Sequence, residues 1–129
     1  MADLSKFQEL LNTEDQTSQY DVADIQANTV WGGLAYVLFF LPLIGCPKSS
    51  YGKFHANQAL LLVIAGIALS IVVGIAGFIP FFIGDILEFV LGLVRTIALL
   101  GLGIIGLING FTGKVKQLPL IGGLVTIIK

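Results

Sequence analysis

The hydrophobic positions of this chain fall in long unbroken blocks rather than in stripes. Three blocks stand out, at residues 28–45, 54–79 and 86–111. Polar residues within them are too sparse to give the two-residue rhythm of a half-buried strand or the wet face of a surface helix. About 20 apolar residues suffice for a helix to cross the hydrocarbon core of a bilayer. Inside that core every backbone amide must be bonded within its own segment or a closed barrel, and blocks without alternation leave only helices. The pattern predicts an all-α polytopic membrane protein, with three transmembrane helices in residues 27–129 and a short basic tail after the third.

Residues 1–26 read differently. They carry Asp3, Glu9, Glu14, Asp15, Asp21 and Asp24 against the single Lys6, and they lack the basic start and apolar core of a secretory signal. Within them, "NTEDQTSQ" reads as a solvated, flexible acidic arm and "LSKFQELL" as a short amphipathic turn. Composition agrees with the membrane reading: of 129 residues, 56% are hydrophobic and 12% charged, against about 25% charged in soluble domains. The net charge of −1 hides a separation of an acidic head from a basic tail. With three spans, Lys48, Lys53, Lys114, Lys116 and Lys129 share one side. The positive-inside rule makes that side cytoplasmic, so the expected topology in a cell membrane has the N-terminal arm outside and the C-terminus in the cytoplasm.

Polar residues stand at the entrance of the second block, in "YGKFHANQAL". Four-residue steps from Gln58 reach Leu62, Gly66, Ser70 and Gly74, and His55 precedes Gln58 by three, which places the polar head and the small residues on one helical stripe. Small residues at such spacing let helix backbones approach closely, so His55 and Gln58 are expected to face a partner helix. Thr96, Gly103 and Gly110 of the third block offer a matching face. An antiparallel third helix also brings Asn109 to the depth of Asn57 and Gln58. Side chains bonding across helices there contribute about 0.6–2 kcal/mol each, as glue for the bundle or, alternatively, as a substrate or ion site.

Two further features carry charge. In "GDILE", Asp85 is placed as a helix N-cap with Glu88 completing a capping box and both near the positive end of the helix dipole. Arg95 lies deeper, where an intramembrane cation costs about 2.5–3.5 kcal/mol on insertion scales and marks a functional site by default. By depth its expected partners are Ser70 and Tyr36, or else it snorkels toward the outer surface.

One histidine and one cysteine, Cys46, cannot assemble a zinc site or an internal disulfide. Cys46 reads as a small residue before Pro47, with acylation as the alternative. No nucleophile, base and carboxylate share one depth, so no catalytic residues, cofactor or metal are expected. The "GLGIIGLING" stretch follows no strand, and basic residues are too few for nucleic acid.

The pattern "NTVWGGLAYVLFFLPLIGCPKSSYGKFHANQALLLVI", with the later "NGFTGKVKQLPLIG", resembles the small bacterial and archaeal three-span proteins of a domain-of-unknown-function family distantly related to the chloroplast inner-envelope import component. The resemblance rests on Phe54, His55, Ala56, Asn57 and Gln58 opening the second span and on Leu118, Pro119 and Leu120 after the third, and it covers about residues 21–121. It implies a prokaryotic plasma membrane and no assigned activity. It also implies that residues 116–129 fold back as an interfacial or re-entrant segment, with Pro119 breaking the helix and Leu120 to Ile128 lying against the His55 cluster. The expected function is an interaction or accessory subunit that meets the bilayer and a second copy or another membrane protein; the alternative is an oligomeric channel, transporter or protein-translocation component.

Overall fold

A computed structural model describes residues 15–128. Its regular elements are helical: α1 (Val22–Leu34), α2 (Leu41–Gly45), α3 (Ser50–Gly77) and α4 (Phe81–Thr112), with a single turn of 3-10 helix at Thr17–Gln19 before them.

Helices α3 and α4 form an antiparallel hairpin. At 28 and 32 residues and a rise of 1.5 Å per residue they are about 42 and 48 Å long, and both are long and apolar enough to cross a membrane. Their register is constant: Leu62 meets Gly103, Gly66 meets Leu99, Val73 meets Gly92 and Gly77 meets Glu88. Each advance along one helix is matched by an equal retreat along the other. Pro80 occupies the N-cap of α4 with φ −66°, where its missing N–H is no loss. Gly113 ends α4 in the left-handed region at φ 79°, and its N–H returns to the Asn109 carbonyl, a conformation glycine adopts without strain. Only 17% and 6% of the most apolar windows of α3 and α4 are buried within the molecule, so neither is the core helix of a folded unit.

The block at 28–45, expected to be one span, is two helices with turns between them. Helix α1 starts earlier, capped by the Asp21 side chain on Ala23 N–H at 3.1 Å. It bends at Asn28 (φ −126°, ψ 19°), whose side-chain amide donates to the Asp24 carbonyl and carboxylate at 3.0 and 2.9 Å. Turns follow α1, and Pro42 then opens α2. A proline has no N–H for the preceding turn and its ring crowds the carbonyl four residues back, so α1 cannot continue through "FFLPLIG". The chain reverses instead, and Gly45 of α2 lies against the Trp31 ring of α1. A 13-residue helix is about 20 Å long, shorter than the hydrocarbon core.

That reversal changes where the N-terminal segment lies. Asp15 and Lys116 form an antiparallel bridge, Gln16 N–H donates to the Val115 carbonyl at 2.8 Å, and Val115 N–H donates to Thr17 Oγ1 at 2.9 Å. Both described ends of the chain therefore sit at the open end of the α3–α4 hairpin, beside the loop bearing Lys48. Three spans would set the N-terminal segment at the end opposite the tail; in the structure its described part lies beside the tail. Most of residues 15–26 are exposed, but the segment is anchored: Tyr20 packs edge-on to Phe54, with ring centroids 5.9 Å apart, and Ile25 is buried with Tyr51 and Val115. The rest of the expected arm, residues 1–14, lies outside the described residues.

The buried core is thus concentrated at one end, with Val73 a buried side chain further along the hairpin. Tyr51, His55, Gln58, Val115, Leu118 and Pro42 are its largest fully enclosed side chains. We call this end the base and the remainder of the α3–α4 hairpin the shaft.

Candidate functional site

The base is assembled around the first two turns of α3. Ser49 caps this helix, its hydroxyl accepting from Gly52 N–H at 2.9 Å. A second cap comes from another element: Asp24 of α1 accepts the Tyr51 N–H at 3.0 Å, setting a carboxylate at the positive end of α3. Burial alone would raise the Asp24 carboxyl, but hydrogen bonds from Ser49, Tyr51, Asn28 and Ser50 outweigh it and hold the group below its ordinary value.

His55 is fully buried among aromatic rings, with Tyr51, Phe54 and Tyr36 centroids at 4.7, 5.1 and 5.6 Å. Its Nε2 lies 2.9 Å from the Lys114 carbonyl. A carbonyl only accepts, so Nε2 carries the proton and donates. In the neutral ring Nδ1 is then bare, and it accepts from the Tyr36 hydroxyl at 2.7 Å. One hydrogen bond thus sets the tautomer for the other, and both ring nitrogens join α3 to other parts of the base. Tyr51 extends the same seam, its hydroxyl reaching the Asn109 and Gly110 carbonyls at 3.2 and 2.5 Å.

Asn57 and Gln58 hold the tail. Residues 113–128 form no helix, so their backbone groups need partners from elsewhere. Gln58 Oε1 accepts from Leu118 N–H at 2.8 Å, and its Nε2 donates to the Gly122 carbonyl at 3.0 Å. Asn57 Oδ1 accepts from Ile127 and Ile128 N–H at 2.7 and 3.1 Å, and its Nδ2 donates to the Val125 carbonyl at 3.3 Å. Each side-chain amide, with one donor and one acceptor face, substitutes for a strand the tail does not have. The tail itself turns at Pro119, with Leu120 left-handed at φ 72°, and Gly122 N–H closes the turn on the Leu118 carbonyl at 3.0 Å. A Cβ at Gly122 would run into Gln58 and the Leu118 backbone, so this contact requires glycine. The fold-back against the opening of α3 is therefore present, with Gln58 and Asn57 as its receptors and His55 holding Lys114. Between tail and helix an open cleft of about 370 Å³ is lined by Gln16, Tyr20, Lys53, Phe54 and Thr126 among others.

The structure brings His55, Asn57, Gln58 and Asn109 together, although Asn109 contributes its carbonyl to Tyr51. It divides the small-residue stripe. Gly66 contacts Leu99 of α4, Ser70 accepts from Arg95 Nη1 at 3.2 Å, and Gly74 has nothing within 4 Å of an added Cβ. Tyr36, the other partner expected for Arg95, is committed to His55. The matching face also differs: Gly103 does meet α3 at Leu62, but Gly110 packs on the Gly32 backbone of α1, and Thr96 bonds back to the Gly92 carbonyl at 2.9 Å. Asp85 and Glu88 are not caps. Helix α4 begins at Phe81, four residues before Asp85, because Pro80 already provides the entry. Both carboxylates are exposed beyond the first turn, and Glu88 lies over Gly77.

The closest helix approach lies between α1 and α4. A Cβ on Gly110 would strike the Gly32 and Gly33 backbone, and one on Gly106 would strike the Tyr36 ring. Gly106 and Gly110 are a small-xxx-small pair, so this contact had a signal in the sequence. Tyr51 and Asp24 had none, since their partners lie 58–59 and 27 residues away.

Among the described residues every buried side-chain nitrogen or oxygen has a hydrogen-bond partner, and no three metal-binding side chains cluster. Cys46 is a free thiol that burial pushes up from its ordinary value, away from the reactive thiolate. Comparison with family models, with curated proteins and with solved structures finds no match to this chain.

Proposed function

We propose that this chain is a small integral membrane protein that works by contact with other membrane proteins, as an interaction or accessory subunit. In this reading α3 and α4 cross the bilayer, and α1–α2 enters it part-way as a re-entrant hairpin from the face that carries the tail. The observation behind it is the division of polarity. His55, Asn57 and Gln58 spend their hydrogen-bonding capacity on the chain's own backbone and on Tyr36, while the shaft presents large apolar side chains such as Val63, Ile67, Ile71, Leu93 and Ile97. Lipid or a partner helix covers such a surface; water does not.

Orientation follows from charge. Lys48, Lys53, Lys114 and Lys116 all lie at the base, and residues 78–86 of the hairpin tip hold no Lys or Arg, which makes the base the cytoplasmic end. Two crossings in place of three put the N-terminal segment on that side as well. The resemblance to the small prokaryotic membrane proteins supports a plasma-membrane setting. The reading needs no catalytic step, because neither His55 nitrogen is left to act as a base.

Photo-crosslinking in living cells, from probe amino acids at Ile67 and Ile97, tests it. These sites are 58% and 64% exposed on the shaft. The expected result is a reproducible adduct with a membrane protein. Lipid adducts alone from every exposed shaft position would contradict the proposal.

A further inference from the structure

Resting on that reading, the inference concerns what kind of partner the shaft takes. Arg95 is its one internal charge, and the constant register sets it level with Ser70 on α3. The apolar part of α3 runs from Leu60 to Gly77, so Ser70 lies about 15 Å along it. That is the middle of a hydrocarbon core about 30 Å thick. An arginine side chain is too short to reach either headgroup region from there.

The guanidinium is under-served where it stands. It has five N–H donors, and its hydrogen bond among the described residues goes to Ser70 Oγ at 3.2 Å, a long contact to a neutral hydroxyl. The carboxylates of this hairpin, Asp85 and Glu88, lie toward the tip, and Glu88 is seven residues from Arg95, about 10 Å along the axis. Beside the guanidinium is a cavity of about 180 Å³ walled by Leu69, Val73, Leu91, Val94 and Ala98. The neighbouring helix surface is shallow: nothing stands within 4 Å of a Cβ added at Gly74 or at Gly101. A cation at mid-membrane, an apolar recess beside it and small residues flanking it suit a second helix that brings the missing acceptor.

We propose that the Ser70–Arg95 level of the shaft docks a membrane-spanning helix of another protein that carries an Asp or Glu near its midpoint. The carboxylate accepts from the guanidinium, and the apolar body of that helix covers the recess. A second copy of this chain suits the site less well. A parallel two-fold pair centred here sets two arginines face to face, and the partner copy's carboxylates lie toward the tip.

The test uses the full chain in phosphatidylcholine vesicles, with fluorescent poly-leucine membrane helices as probes carrying Glu at the centre, Gln at the centre, or Glu near one end. Energy transfer should report association of the central-Glu helix at least tenfold tighter than either control. Arg95→Met should abolish that preference and Arg95→Lys should retain most of it, with both variants checked for wild-type α3–α4 packing by a Leu62–Gly103 cysteine crosslink. Equal association of the three probes, or a preference that survives Arg95→Met, overturns the proposal. A companion crosslink in cells from Ala98 separates this failure from that of the broader reading. Adducts from Ile67 or Ile97 with none from Ala98 preserve an interaction subunit and reject this site. Adducts from Ala98 only with the chain itself reject the foreign partner.

Discussion

The two ends of the α3–α4 hairpin solve opposite problems. At the base, polar side chains are buried and matched atom for atom: Tyr36 to His55, His55 to Lys114, Gln58 to Leu118 and Gly122. Along the shaft the surface is apolar and open, with one cation and one hydroxyl facing each other. The same antiparallel pair of helices supports both. What differs is whether other chain segments cover it: α1, α2 and the tail wrap the base, and nothing among the described residues wraps the shaft. Polar groups at the entrance of an apolar helix are here the means of attaching an irregular tail, and the shaft is left as the surface on which the molecule meets its surroundings.

Substitutions should separate the two regions sharply. The largest effect belongs to Gly110→Leu or Gly32→Leu. A side chain at 110 would collide with the Gly32 and Gly33 backbone, and one at 32 with the Tyr51 ring; overpacking of this kind costs about 1–3 kcal/mol, and denaturation in mild detergent should show α1 detached or the protein unfolded. Next is Gln58→Leu, which leaves the Leu118 N–H and the Gly122 carbonyl unpaired. At about 1–3 kcal/mol per buried orphan the tail should come free, with faster hydrogen exchange over residues 118–128 while α3 and α4 stay protected.

Asp24→Asn should cost about 1 kcal/mol by weakening the cap on α3. It should also change the acid response. The folded-state carboxyl lies below its ordinary value of 3.8. Its contribution is therefore complete above that value and disappears as pH falls through the lower, folded-state value. The wild type should lose this increment only below about pH 4, and the variant should lack that step in a pH series of unfolding midpoints. The smallest effect is expected on the shaft. Gly74→Ala and Gly101→Ala meet open space and should stabilise slightly, by up to about 1 kcal/mol through helix propensity, where the same change at Gly110 destabilises.

Much of this contrast was legible in the residues. Two membrane-length helices follow from block length alone, and their antiparallel pairing brought His55, Asn57, Gln58 and Asn109 to one end. The fold-back of the tail came from the resemblance and not from periodicity, which is silent for a segment without regular structure. The first block misled because its composition matches a span. Hydropathy averages over "FFLPLIG" and cannot see that Pro42 stops one helix and starts another, so a reversal looked like a crossing. The expected single span sets residues 15–26 opposite the tail, whereas the structure pairs Asp15 and Gln16 with residues 115–116. Asp85 and Glu88 fitted the spacing of a capping box, yet Pro80 and the apolar residues after it begin the helix a turn earlier. Gly106 and Gly110 had a recognisable spacing, but a glycine pair does not name its partner, and α1 could enter only once the reversal was known.

The reversal and its consequence, both described ends of the chain on one face and the hairpin tip on the other, can be tested by one labelling measurement. In a Cys46→Ser background, Ser18→Cys and Asp85→Cys place single thiols at exposed positions of the base and near the tip. Intact cells treated with a membrane-impermeant maleimide should label Asp85→Cys from outside and Ser18→Cys only after permeabilisation. Labelling of both thiols from outside would restore three crossings and contradict the re-entrant hairpin.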